Sequence, residues 1–65
     1  DLRLRLAKEQ GVPAYIIFTD NTLNEMVMNK PSSIRDFGKL NGVGPQKQKK
    51  YAELFIYVIK KLYFE

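Results

Sequence analysis

The chain has 65 residues, 45% of them hydrophobic and 28% charged, with 11 Lys+Arg against 7 Asp+Glu and neither cysteine nor histidine. That length implies one small domain, and the missing residue types exclude disulfide staples and the usual zinc sites. No apolar run approaches the roughly 18 residues that a membrane span needs, so the fold must rest on a small apolar core.

The first segment, DLRLRLAKEQG, alternates leucine and arginine like a strand. No second alternating run exists to pair with it, and a lone strand leaves its backbone unsatisfied. Its residues are mostly strong helix formers. It is predicted to be a helix with Leu2 and Leu6 inward and Gly11 as its stop. The next segment, VPAYIIF, is short; its β-branched residues favour a strand, but among helical neighbours a brief helical turn is expected.

DNTLNEMVMN reads as a helix capped by Asp20 or Asn21, with Thr22 and Glu25 in the T-x-x-E spacing of a capping box. Leu23, Met26 and Val27 form its apolar stripe, with Met28 as a flexible filler. Pro31 separates it from a shorter helix in KPSSIRDFGKL, capped by Ser32 or Ser33. There Asp36 lies near the N-terminus, and Ile34, Phe37 and Leu40 face inward. The last helix is predicted from about Pro45 to about Leu62, with proline suited to the first turn. Tyr51, Leu54, Phe55, Val58, Ile59 and Leu62 mark one stripe of a 3.6-residue period, and Lys49, Glu53 and Lys60 the opposite face. The sequence thus describes a small all-α bundle with short loops.

Catalysis finds few parts here. There is no histidine or cysteine to act as base, nucleophile or ligand, Ser32 and Ser33 read as caps, and the carboxylates are scattered. No phosphate-binding G-x-x-x-x-G-K-[ST] loop occurs. We therefore expect no enzyme, no metal and no cofactor in this segment.

The positive charge sits at the two ends. Arg3, Arg5 and Lys8 outnumber Asp1 and Glu9, and five lysines between Pro45 and Lys61 face only Glu53, whereas Gly11 to Gly44 balances. Packed side by side, the ends would form one basic face able to concentrate polyanions; a solvated, solubilising surface is the plainer reading.

Two segments are candidate binding sites. Gly42-Val43-Gly44-Pro45 precedes the last helix, whose N-terminus would present free N–H groups to a phosphate, with Lys47, Lys49 and Lys50 beside it. This resembles the turn of a helix-hairpin-helix motif. The alternative reading is purely structural: one glycine takes positive φ at the turn, the other lets helices approach, and Val43 fills the core. Tyr15 is the second candidate. A polar-tipped ring among Ile16, Ile17 and Phe18 suggests partial exposure, and an exposed ring near cations can stack a nucleobase. Tyr57, off the apolar stripe, and Tyr63, near the chain's end, are weaker candidates.

The same residues carry a family resemblance. Leu2-Arg3, Leu6-Ala7, Val12-Pro13, Tyr15, Ile17-Phe18, Asp20, Thr22-Leu23, Glu25-Met26, Pro31, Ser33, Gly42-Val43-Gly44, Lys47, Tyr51, Phe55 and Ile59 run nearly end to end. In this pattern the chain resembles the helicase-and-RNase-D C-terminal (HRDC) domain, and is most similar to the version in bacterial RecQ-type DNA helicases. Ala52 stands where the family often has glycine. The resemblance implies a compact five-helix bundle related to SAM-like and helix-hairpin-helix folds, taken from the C-terminus of a longer helicase that hydrolyses ATP elsewhere.

It also implies an auxiliary role in a bacterial cytoplasm and nucleoid, in DNA repair and recombination. The expected partner is single-stranded or partially duplex DNA, bound weakly by a monomer away from any membrane. Tyr15 would stack a base, Arg3, Arg5 and Lys8 would hold phosphates, and Lys47, Lys49 and Lys50 would extend the track. A second reading is a module that docks on the helicase core or another protein through an apolar patch that includes Ile56 and Tyr57. A third is backbone gripping of duplex through Gly42 and Gly44.

Overall fold

The computed structural model describes residues Leu2 to Tyr63; Asp1, counted above in the charge of the first segment, lies outside them. Five helices follow in chain order: α1 (Leu2–Gln10), α2 (Ala14–Ile17), α3 (Asp20–Asn29), α4 (Ile34–Gly38) and α5 (Pro45–Tyr63). No strand occurs among the described residues, so the all-α, five-helix expectation holds.

α1 ends as its sequence predicts. Gly11 takes φ +67°, the Gly11 N–H donates to Lys8 O and the Val12 N–H to Ala7 O. This paired closure is a Schellman motif, which satisfies the last carbonyls of the helix. Leu6 and Ala7 enter the core and Leu2 packs against it. VPAYIIF takes the helical alternative. One turn forms over Ala14–Ile17 after extended Pro13, and Phe18 returns to an extended conformation.

The cap of α3 is a correction. Thr19, not Asp20 or Asn21, is the N-cap, and its hydroxyl accepts from the Thr22 N–H. The T-x-x-E capping box does not form, because its members are used across the fold. The buried Thr22 hydroxyl donates to Asn41 O, and the Asn41 N–H donates to Glu25 Oε1. These bonds tie α3 to the turn before α5. Ser33, one of the alternatives, does cap α4, accepting from the Asp36 N–H at 3.1 Å. In a helix this short the cap is a large share of its hydrogen bonding. Ser33→Ala is expected to cost about 1 kcal/mol, read as a lower urea midpoint with unchanged slope; an unaltered midpoint would show that packing alone holds α4.

Several side chains predicted inward are exposed, for one reason. A short helix buries only the side that meets its neighbours. In α3 that side is set by Thr22 and Met26, one turn apart. Val27 and Met28 follow Met26 by about 100° and 200° around the helix and are exposed. In α4, Phe37 is buried, and Leu40 just beyond the helix is too, whereas Ile34 stays exposed beside the cap. In α5 the buried line is Tyr51, Ala52, Phe55, Ile56 and Ile59. Leu54 and Leu62 lie outside it and are exposed. Ala52 and Ile56 take the core places, and small Ala52, 1% exposed, lets the helices close.

Phe18 stands at the centre. It is fully buried and meets the edges or faces of Phe37, Tyr51 and Phe55 at centroid distances of 5.9, 5.7 and 5.0 Å, all near-perpendicular. The residue that closes the Tyr15 turn therefore anchors that turn to α4 and α5.

Candidate nucleic-acid interface

Tyr15 lies on α2, and the turn is too short to bury more than one side. Ile17 and Phe18 take the core, leaving the Tyr15 ring 63% exposed. Beside it is a shallow cavity of about 510 Å³ lined by Arg3, Ala14, Tyr15, Thr19, Asp20 and Asn21. α1 provides the arginine, α2 the ring, and the first turn of α3 the polar groups. An aromatic face next to hydrogen-bonding side chains can stack a flat ring and meet its polar edge.

The structure divides the basic residues that the sequence groups together. Arg3 faces inward. Its Nη1 donates to Phe18 O at 3.0 Å and to Asp20 Oδ1 at 2.9 Å, and its side chain is only 16% exposed. Arg3 is thus a brace between α1 and the α2–α3 junction, as well as a wall of the cavity. A phosphate reaching it would compete with Asp20. Arg5 and Lys8 are exposed on the outer side of α1, about 200° and 140° around the helix from Arg3.

On α5, Lys47 lies over the Phe18 ring at 5.5 Å and Lys50 over the Tyr51 ring at 5.3 Å. Lys47 therefore sits where α5 meets the end of α2, whereas Lys50 is exposed at the outer edge of Tyr51. The terminal segments do meet, since Gln10 Nε2 donates to the Tyr51 hydroxyl at 2.7 Å. Lys49 lines a cleft with Ile34, Pro45, Gln48 and Glu53, between α4 and α5. The predicted three-lysine track is accordingly divided between two sides of the helix.

The glycine turn is also resolved in role. Gly42 has φ +86°, and a Cβ there would collide with the Thr22 side chain. It supplies both the positive φ and the close approach that the sequence reading shared between two glycines. Gly44 has open space around its Cα, and its carbonyl accepts the Gln48 N–H at 2.9 Å as α5 begins. Val43 is buried, as expected. Gly44 and Pro45 with Gln46 and Lys47 border a surface hollow open to solvent.

Sequence reading missed Thr19 and Asn21 as walls of the Tyr15 cavity. The available signal is their position directly after VPAYIIF, but Asn21 is read there only as a cap candidate and Thr19 is not singled out. It also placed Ile56 in an exposed apolar patch, whereas Ile56 is buried against the core. Among the described residues no cluster of acidic side chains could hold a metal ion, and no helix is long and apolar enough to cross a membrane.

The sequence signature of the HRDC domain matches residues 1–59. The chain belongs to the HRDC domain family. Its HRDC sequence is 41% identical over 59 residues to the ATP-dependent DNA helicase RecQ of Bacillus subtilis, covering 91% of this chain and 10% of that protein. It is 37% identical over 60 residues to RecQ of Pasteurella multocida, covering 92% and 10%. It is 36% identical over 58 residues to the ATP-dependent DNA helicase UvrD2 of Mycobacterium tuberculosis, covering 89% and 8%. The HRDC fold superposes on D. radiodurans RecQ HRDC domain 3 with a TM-score of 0.89 at 28% identity, covering 94% of this chain and 80% of that one. The chain thus spans about a tenth of the length of the RecQ relatives it matches.

Proposed function

We propose that this HRDC domain is an auxiliary, sequence-tolerant binding module for single-stranded DNA within a RecQ-type helicase, a cytoplasmic protein of DNA repair and recombination. Tyr15 stacks a base. Thr19 and Asn21 offer polar groups to its edge, and Arg5, Lys8, Lys47 and Lys50 meet the phosphates of the strand. Arg3 shapes the cavity and partly offsets the charge of Asp20. ATP hydrolysis belongs to another part of the parent protein.

The observation that carries this reading is the Tyr15 ring, 63% exposed beside half-exposed Ile16, on a turn that commits only Ile17 and Phe18 to the core. Leaving an aromatic face in water forgoes its burial energy, which stacking on a base would recover. The protein-docking alternative is less well supported. It calls for an uncharged apolar patch, yet Ile56 is buried and Lys61 lies over the Tyr57 ring at 5.6 Å.

Salt provides the test. Titration of labelled thymidine oligonucleotide, followed by fluorescence anisotropy, is expected to give a log–log slope of affinity against salt of about −0.7 for each phosphate neutralised. Affinity that does not change with salt would overturn the phosphate contacts.

A further inference from the structure

α5 carries a second constellation of the same chemistry, away from the Tyr15 cavity. Five lysines, Lys47, Lys49, Lys50, Lys60 and Lys61, stand against Glu53 along its 19 residues. This excess equals the formal charge of +4 of the whole chain. Lys50, Leu54, Tyr57 and Lys61 recur at helical spacing of four, three and four residues. They form a ridge on the side opposite the buried line of Tyr51, Phe55 and Ile59.

At the middle of this ridge the Tyr57 ring is 63% exposed, the same exposure as Tyr15, and Lys61 Nζ stands 5.6 Å from its centroid. Lys60 lies at its side, in a cleft shared with Tyr57, Ile34, Ser32, Ser33 and Glu53. Tyr57 follows Lys47 by ten residues, about 15 Å along the helix axis, and Lys47 touches the ring of Phe18 in the Tyr15 region. The ridge is therefore continuous with the cationic side of the first site.

We propose that the outer ridge of α5 is a second contact surface for single-stranded nucleic acid, with Tyr57 as a stacking platform and Lys60 and Lys61 as phosphate partners. Charge complementarity selects the occupant. A run of lysines around an accessible ring suits an anionic strand with flat bases, since the ring gives stacking and the cations give backbone attraction. The proposal adds to the Tyr15 reading and does not depend on Tyr15 itself being a contact.

Fluorotyrosine-labelled protein, observed by fluorine NMR and assigned with single Tyr→Phe variants, separates the two sites. On addition of a long thymidine oligonucleotide, the Tyr57 signal is expected to shift, in the Tyr15→Ala protein as well, while the buried Tyr51 signal stays near its place. Tyr57→Ala should weaken binding at least about fivefold, and Tyr57→Phe should restore it. Lys60→Ala with Lys61→Ala should reduce the salt slope by about 1.4. A stationary Tyr57 with a moving Tyr15 overturns the second surface and leaves the proposed function standing. Neither signal moving overturns both. An equal response of Tyr57 to polyglutamate overturns the nucleic-acid assignment of the ridge.

Discussion

Phe18→Ala is expected to unfold most of the protein at room temperature. The ring is fully buried and packs against Phe37, Tyr51 and Phe55. Removing a buried phenylalanine typically costs about 3–5 kcal/mol, because the lost transfer energy adds to the energy of the cavity left behind. A chain of 65 residues has about 3–10 kcal/mol of stability in total, and small domains lie toward the low end because they bury a smaller fraction of their surface. The three edge-to-face contacts also make Phe18 hard to replace by collapse of its neighbours, since each comes from a different turn of α4 or α5. The Lys47 ammonium over the ring would lose its partner too. Far-UV circular dichroism in urea reads the result. Loss of the helical signal without denaturant, or a midpoint lowered by most of its wild-type value, is expected; a shift worth less than about 1 kcal/mol would show that the ring is not the keystone.

Tyr15→Ala is expected to leave that urea midpoint nearly unchanged and to weaken single-stranded DNA binding by about 1–3 kcal/mol, the value of one base stacked on an aromatic ring. That corresponds to roughly a 5- to 150-fold rise in Kd. The two variants lie three residues apart and differ because the α2 turn presents one ring to solvent and one to the core. Tyr15→Phe keeps the stacking face and should bind within a few-fold of wild type. A Tyr15→Ala protein that folds and binds as well as wild type would remove the ring from the interface.

Much of the fold was legible because its signals are local. The Gly11 stop, the Ser33 cap, Pro45 at the first turn of α5 and the long period of α5 each depend on neighbours within a few residues. What escaped was set by residues far apart in the chain. Arg3 read as a phosphate ligand because its ion pair with Asp20 spans 17 positions. Thr22 and Glu25 read as a capping box because nothing local shows that Asn41 receives one bond and gives the other. The exposed Val27, Met28, Ile34, Leu54 and Leu62 show a related limit. A period identifies a helix, but which side is buried depends on where its neighbours stand. The exposure of Tyr15 was legible by the opposite logic, since a polar-tipped ring in an apolar turn is out of place unless it meets solvent or a partner. Its cavity was not, because Thr19, Asp20 and Asn21 reach it only after Phe18 turns the chain.

The most direct test of the central claim is an amide NMR titration of the isotope-labelled domain with single-stranded thymidine oligonucleotide at low salt. The largest chemical-shift changes are expected at Ala14, Tyr15 and Ile16 and at Thr19 to Asn21, around one cavity. Changes confined to Gly42 through Lys47, with the Tyr15 region unmoved, would contradict the claim.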